Sequence, residues 1–210
     1  MKNAFSKEKW AYLRYTISHP MDGFYWIWHQ DRGSVPIAIL IVICFSLCFS
    51  LNRISANFIV NDVYPPSVDS LEELSGILLL YALVCVANWS ITCLMNGEGR
   101  MKDIAIAVGY GCTPLIPAFL IATALSHVIT MEEAAFYSII IGAGVAYAVI
   151  LVLIGIMQVH NYTLGKTLQT LVLTFIAILI IIFLCLLLAN LIGQVFNFFR
   201  YLYIEIIFRA

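Results

Sequence analysis

Residues 96–117 read NGEGRMKDIAIAVGYGCTPLIP, and the architecture of the chain follows from them. A short charged turn enters an apolar segment that is interrupted by Gly109, Gly111, Pro114 and Pro117. Glycine exposes backbone, and proline removes an N–H donor and clashes with the preceding helical turn. Inside a bilayer, a freed carbonyl group must find its partner within the protein. We therefore expect a kinked helix that is surrounded by other helices rather than by lipid.

The composition indicates that these neighbouring helices also lie in a membrane. The 210 residues are 62% hydrophobic and 11% charged, with a mean hydropathy of +0.96, whereas about a quarter of the residues in soluble domains are charged. A span needs roughly 20 apolar residues, and five segments qualify, at 34–52, 75–95, 104–126, 134–157 and 167–193. The sequence predicts an all-α, polytopic integral membrane protein: a five-helix transmembrane bundle with amphipathic interfacial helices at both ends.

The two ends of the chain predict segments that lie on the membrane surface. Residues 1–33 form a cytoplasmic interfacial segment, residues 34–193 the membrane domain, and residues 194–210 an amphipathic C-terminal helix. Pro20 should end one N-terminal helix and Asp22 should cap the next. Aromatic side chains after this break predict an anchor at headgroup depth; they are Phe24, Tyr25, Trp26 and Trp28.

The loop charges predict the orientation. With a cytoplasmic N-terminus, the inner face carries eight Lys and Arg residues and the outer face three, which agrees with the positive-inside rule. The odd number of spans then places the C-terminus on the outer side. Because the eleven basic residues are dispersed, we expect the lipid bilayer as a partner and no nucleic acid.

Few residues point to catalysis. The chain has no HExxH, GxSxG or phosphate-loop motif, so we expect no catalytic, metal-binding or cofactor-binding residues. Asn88 in the second span is typical of an amide that bonds to another helix, and the alternative is a residue that lines a solute path.

Several short motifs carry a resemblance. Residues 109–114 read GYGCTP, which resembles the Gly-Tyr-x-Leu-x-Pro marker of the Yip-domain family (Ypt/Rab-interacting proteins), with Cys112 where leucine is usual. The family's Asp-Leu-x-Gly-Pro marker is altered to DGFYW at residues 22–26, and the runs at 19–24, 88–90, 96–99 and 160–167 are similar to the bacterial branch. The matching residues that we take as site candidates are Asp22, Gly23, Asn88, Trp89, Gly97, Glu98, Gly99, Gly109, Tyr110, Pro114, His160, Tyr162, Gly165 and Lys166.

This resemblance implies a non-enzymatic membrane protein. Eukaryotic relatives act in membrane trafficking and bind prenylated small GTPases, but the altered first marker and the short N-terminal region argue against GTPase binding here. Bacterial relatives are expected beside solute-import systems, which suggests a transport accessory in the bacterial plasma membrane. We predict an adaptor that docks a membrane or cytoplasmic protein partner through its inner loops. Two alternatives stay open: a small transporter or channel with a path near the kinked third span, and a lipid-binding or membrane-shaping protein.

Overall fold

The computed structural model describes residues 7–209, and all regular elements within that range are helical. Five of the helical segments are long and apolar enough to cross a membrane, which confirms the predicted class and span count. The helices are α1 (Lys7–Ser18), α2 (Pro20–Gln30), α3 (Val35–Ser55), α4 (Ser70–Leu94), α5 (Met101–Gly111), α6 (Leu115–Ser126), α7 (Ala134–His160) and α8 (Leu164–Arg209).

The third span is broken where glycine and proline predict it. Helix α5 ends at Gly111 and α6 begins at Leu115. The carbonyl of Tyr110 accepts hydrogen bonds from the Thr113 N–H at 3.1 Å and from Thr113 Oγ1 at 2.7 Å. The break therefore satisfies its own backbone, as the bilayer requires. Half of the span's most apolar window is buried, more than in any other span of the described chain.

Close helix contacts explain the glycines of this span. A Cβ on Gly109 would lie 2.6 Å from the Cβ of Ala38 on α3, and one on Gly111 would lie 2.4 Å from Val152 Cγ2 on α7. Such distances leave no room for a side chain, so these positions let neighbouring helices approach. We expected these glycines to expose backbone, whereas in the structure they make room for the neighbouring helices.

Helices α1 and α2 belong to the core of the bundle. Phe24 and Ile27 are fully buried, and a Cβ on Gly155 of α7 would lie 3.3 Å from Phe24 Cε1. Tyr147 Oη donates to the Ile17 carbonyl at 2.6 Å, joining segments 130 residues apart. The prediction that Phe24 anchors the chain at the interface is therefore wrong.

The start of α2 also differs from the prediction. His19 precedes the helix as its N-cap residue, with no side-chain cap, and Pro20 is the first helical residue. Proline suits that position because its missing N–H would have no helical partner. Asp22 lies in the first turn and is exposed, so it does not cap the helix as predicted.

The connections divide the bundle into two ends. We call the end that holds the α2–α3, α4–α5 and α7–α8 connections the motif end, and the other the opposite end. At the opposite end, Asn52 Nδ2 donates to Thr123 Oγ1 at 2.8 Å, and Tyr137 Oη donates to Asn52 Oδ1 at 2.9 Å. The ion pair between Arg53 and Glu73 fastens α3 to α4 at the same end.

Helix α8 is a single element of 46 residues. Its first turns pack on α4, where Thr170 and Thr174 are buried. The predicted boundary between residues 193 and 194 does not coincide with a helix end, since α8 continues through Gly193 to Arg209. One glycine costs a helix only about 1 kcal/mol relative to alanine, which is too little to end it here.

Candidate functional site

The α4–α5 loop is held by rings from the α7–α8 connection. The Gly99 N–H donates to His160 Nδ1 at 3.1 Å, and Tyr162 Oη donates to the Met95 carbonyl at 3.1 Å. The two rings stack with centroids 5.3 Å apart, and His160 is 1% exposed. Because Nδ1 accepts a hydrogen bond, the neutral ring carries its proton on Nε2. The contact therefore requires an uncharged His160.

The glycines of this loop fit directly against those rings. A Cβ on Gly97 would lie 2.7 Å from His160 Nδ1 and 2.8 Å from Tyr162 Oη. A Cβ on Gly99 would lie 2.5 Å from Val159 Cγ1. Neither position can carry a side chain without moving the loop. Glu98, between them, is exposed to solvent.

An asparagine follows each of the two helices, α4 and α7, that lead into these connections. Asn96 follows α4 with φ of 54° and Asn161 follows α7 with φ of 53°. Asparagine tolerates this left-handed region better than most residues. Beyond each asparagine the backbone turns back in the same way, with the Gly97 N–H on the Thr92 carbonyl and the Tyr162 N–H on the Met157 carbonyl. Both bonds span five residues, as in the Schellman motif.

A chain of ion pairs joins the α4–α5 loop to the end of α2. Arg100 Nε donates to Asp103 Oδ2 and Arg100 Nη2 to Asp31 Oδ1, both at 2.8 Å. Lys102 Nζ donates to the same Asp31 oxygen at 2.7 Å. Asp103 is buried, whereas the other three side chains are about half exposed or more. The network fixes the loop and also presents charge to solvent.

The ion pairs shift the affinities of these groups for protons. The Lys102 hydrogen bond, together with Arg100, holds the pKa of Asp31 below its ordinary value. The hydrogen bond to Asp103 raises the pKa of Arg100. Both residues therefore stay charged at neutral pH.

Beside this network lies an open cleft of about 360 Å³ between α1, the start of α3 and the start of α5. Lys9 Nζ closes one side by donating to the Gly33 carbonyl at 3.2 Å. The cleft exposes both signs of charge over an apolar floor that includes Ile27 and Ile106. Such a surface can pair with polar side chains of another protein. Its polar lining residues are Lys9, Asp31, Ser34, Lys102 and Asp103.

The structure places the other predicted residues away from this surface or beneath it. Tyr110 is buried and its Oη accepts from the Ser34 N–H at 3.2 Å, beneath the cleft. Asn88 is fully buried and its Nδ2 donates to Thr174 Oγ1 at 3.1 Å, so the predicted interhelical bond is present. Pro114 is the N-cap residue of α6. Gly109 packs on α3 as described above.

Asp22 is exposed in the first turn of α2, as described above, and the other four candidates do not converge on one place. Gly23 is part of the α1–α2 contact, since its Cβ would lie 2.6 Å from Thr16 Cα. Trp89 is 42% exposed on the outside of α4, and Gly165 has open space around it. Lys166 joins the motif end through its Nζ, 4.1 Å from the Tyr162 ring centroid. The motif end therefore holds Gly97, Glu98, Gly99, His160, Tyr162 and Lys166 together.

The threonines that line the α4–α8 contact are not among the predicted site candidates. Thr167, Thr170 and Thr174 are at most 4% exposed. Each Oγ1 donates to the carbonyl four residues earlier, at 2.8–3.0 Å, which satisfies the hydroxyl within its own helix. Their spacing of three and four residues on an otherwise apolar helix was the available signal.

The sequence model of the Yip1 domain matches residues 14–199. The chain belongs to the Yip1 family. That match begins within α1, covers α2 and the first four spans completely, and reaches residue 199 of α8. Searches of curated proteins and of solved structures found no match.

Proposed function

We propose that this Yip1-family protein is a non-enzymatic adaptor of the bacterial branch, which docks a protein partner through its motif end. The observation that carries the proposal is that two of the short motifs, at residues 96–99 and 160–167, meet on one surface beside the ion pairs of Asp31. Segments near residues 31, 97–103 and 160–166 meet there. Their buried members fix the loops, and Glu98, Arg100 and Lys102 are left exposed.

A fixed loop favours binding because less conformational entropy is lost when a partner docks. Gly97, whose N–H donates to the Thr92 carbonyl, and Gly99, whose N–H donates to His160, restrict the loop on both sides of Glu98. The exposed groups carry both signs of charge, which favours selection of a partner with a matching pattern. This combination supports a docking role.

We place the motif end on the cytoplasmic side of a bacterial plasma membrane. The support is the excess of Lys and Arg in the motif-end loops. The partner would be a cytoplasmic protein or a membrane protein such as a solute-import complex, and GTPase binding is not part of the proposal. Lysine-directed or cysteine-directed labelling from either side of sealed vesicles tests this orientation.

The transport alternative has less support than docking. It placed Asn88 beside a solute path, but Asn88 is fully buried and its amide bonds to α8. Its side chain therefore supports helix packing. Solute flux in liposomes that is abolished by Asn88→Leu would restore the transport alternative.

The decisive experiment is recovery of the partner from native membranes under mild extraction. The wild-type chain should return a stoichiometric protein partner. Glu98→Lys and Lys102→Glu each reverse an exposed charge at the motif end, and each should reduce that recovery at least tenfold. Glu132→Lys reverses an exposed charge at the opposite end and should leave recovery unchanged.

Two results would overturn the docking proposal. One is a wild-type protein that leaves the membrane with no stoichiometric partner. The other is equal loss of the partner in the motif-end variants and in Glu132→Lys.

A further inference from the structure

The cleft between α1, α3 and α5 lies at the depth of lipid headgroups. Helix α3 has 21 residues, and a rise of 1.5 Å per residue gives it a length of about 32 Å. That length matches the hydrocarbon core of a bilayer, which is about 30 Å thick. Val35, the first residue of α3, therefore lies where the hydrocarbon ends. Because Val35 and Pro36 both line the cleft, the cleft is level with the headgroups of the surrounding lipid.

Basic side chains outnumber acidic ones at this cleft and its rim. The basic residues are Lys9, Arg32, Arg100 and Lys102, and the acidic residues are Asp31 and Asp103. Both carboxylates already have a basic partner, since Arg100 donates to each of them. The remaining positive charge favours an anion as the occupant of the cleft.

Lys9 and Arg32 are the two basic residues of this set that have no carboxylate partner within residues 7–209. Lys9 Nζ donates to the Gly33 carbonyl, and an ammonium group has three N–H donors, so it can also donate to an anion. The guanidinium carbon of Arg32 lies 5.7 Å from the ring centroid of Tyr12 and 5.9 Å from that of Trp26. Stacking against rings orients a guanidinium group while its N–H edges can still donate to a phosphate. Both side chains are thus held in place to bind an anionic group.

An exposed apolar side of α3 leads from the cleft into the membrane. Pro36 is exposed where it lines the cleft. Ile39 and Leu47 are 38% and 52% exposed, and Ile43 between them is partly exposed. Steps of three and four residues place these side chains on one side of the helix. A molecule whose polar end lies in the cleft can therefore lay a hydrocarbon chain along α3, which a soluble anion or an acidic protein side chain cannot do.

We propose that this cleft holds the phosphate headgroup of an anionic phospholipid, with Lys9 and Arg32 as its donors and an acyl chain along α3. Basic pockets between membrane helices bind anionic headgroups in other proteins. The apolar floor of the cleft, which includes Ile27 and Ile106, suits the glycerol backbone of such a lipid. The site adjoins the docking surface, but the docking experiment alters neither Lys9 nor Arg32, so the two proposals can fail independently.

Lipid titration of the purified full-length protein in detergent tests the site with no other protein present. Phosphatidylglycerol and phosphatidylcholine with identical acyl chains are added, and bound lipid is counted by native mass spectrometry. The wild type should prefer phosphatidylglycerol. Each Lys or Arg near an anionic lipid contributes roughly a fivefold preference, so Lys9→Gln with Arg32→Gln should reduce that preference by about tenfold or more. Lys9→Arg with Arg32→Lys keeps both charges and should keep most of it.

Three controls test the place and the chemical class of the ligand. Arg14→Gln removes an exposed charge of α1 that does not line the cleft and should leave the preference nearly unchanged. Val35→Trp fills part of the cleft without a change of charge and should weaken phosphatidylglycerol binding several-fold. Glycerol phosphate has the anionic group but no acyl chain, so at millimolar concentration it should not displace the lipid.

Each of the following results would overturn the lipid proposal. Equal affinity of the wild type for the two lipids excludes a headgroup site. Equal losses in Arg14→Gln and in the Lys9 and Arg32 variant indicate a general attraction by surface charge. Unchanged binding in Val35→Trp places the lipid outside the cleft, and displacement by glycerol phosphate identifies a soluble anion as the ligand. If the Lys9 and Arg32 variant keeps its lipid preference but loses the protein partner, the cleft belongs to the docking surface.

Discussion

The third span and helix α8 are both apolar, but the third span is half buried in the bundle and α8 is largely exposed. The third span is the least apolar of the five and has half of its most apolar window buried; α8 is the most apolar and has 6% buried. Gly109 in the third span has Ala38 against it, whereas Gly193 in α8 has no atom within 4 Å of an added Cβ. Hydropathy predicts which segments enter the membrane, and small residues that face neighbours determine which of them pack together.

The largest effect should come from adding one methyl group to the covered glycine. Gly109→Ala places a Cβ 2.6 Å from Ala38 Cβ and 3.0 Å from its backbone. Overpacking of this kind costs about 1–3 kcal/mol, so we expect the melting temperature in detergent to fall by roughly 2–12 °C. Gly193→Ala is the matched control and should be neutral or slightly stabilising, because alanine favours the helix. Equal effects at both positions would remove the distinction between covered and open glycines.

The next effect concerns the glycines of the motif end. Gly99→Ala places a Cβ 2.5 Å from Val159 Cγ1 and should displace the α4–α5 loop from His160. Trypsin should then cleave after Arg100 or Lys102 several-fold faster than in the wild type. Gly165→Ala, in open space nearby, should leave the cleavage rate unchanged. A Gly99→Ala chain that resists trypsin as well as the wild type would contradict the described loop packing.

A smaller effect should follow from loss of the hydrogen-bond acceptor on His160. In His160→Ala the partly buried Gly99 N–H loses its partner, and a hydrogen bond of this kind contributes about 0.5–1.5 kcal/mol. Hydrogen exchange of the peptide that covers residues 96–103 should become faster, measured by mass spectrometry. His160→Asn offers an amide oxygen near the position of Nδ1 and should restore part of the protection. Unchanged exchange in His160→Ala would show that the bond does not hold the loop.

The smallest effect should come from the exposed ion pairs of Asp31. Because its folded pKa lies below the ordinary value of 3.8, ionised Asp31 stabilises the protein at pH above that value. The contribution is lost as pH falls through the folded pKa. Asp31→Asn should therefore lower stability at pH 7 by less than about 1 kcal/mol, and the difference from the wild type should shrink as pH falls below 3.8. Asp62→Asn, an exposed residue in the α3–α4 connection, serves as the control. A deficit that persists at low pH would exclude the ion pairs as its cause.

Features that depend on residues close together in the sequence were predicted, whereas contacts between residues distant in the sequence were not. The five spans and the break after Gly111 follow from local composition, and both were predicted. Phe24 was misplaced because an aromatic residue near a helix start is typical of the membrane interface, while its actual neighbour, Gly155, is distant in sequence. The same limit applies to the site: Gly97 and Gly99 were recognised as a motif, but nothing local reveals that His160, 61 residues after Gly99, receives the loop. Residues 194–210 were predicted as a separate amphipathic helix, but α8 continues through Gly193 to Arg209, since one glycine costs a helix only about 1 kcal/mol.

The packing of α2 against α7 sets an order of events during synthesis. The bond between Ile17 and Tyr147 joins positions 130 residues apart, and a ribosome that adds 5–20 residues each second needs on the order of ten seconds to produce the later partner. Throughout that time Phe24 has been made, but α7, which carries its neighbour Gly155, is not yet complete. Helices α1 and α2 thus leave the ribosome first but complete their contacts with α7 late. Until then, the membrane surface is the apolar environment that their side chains can contact.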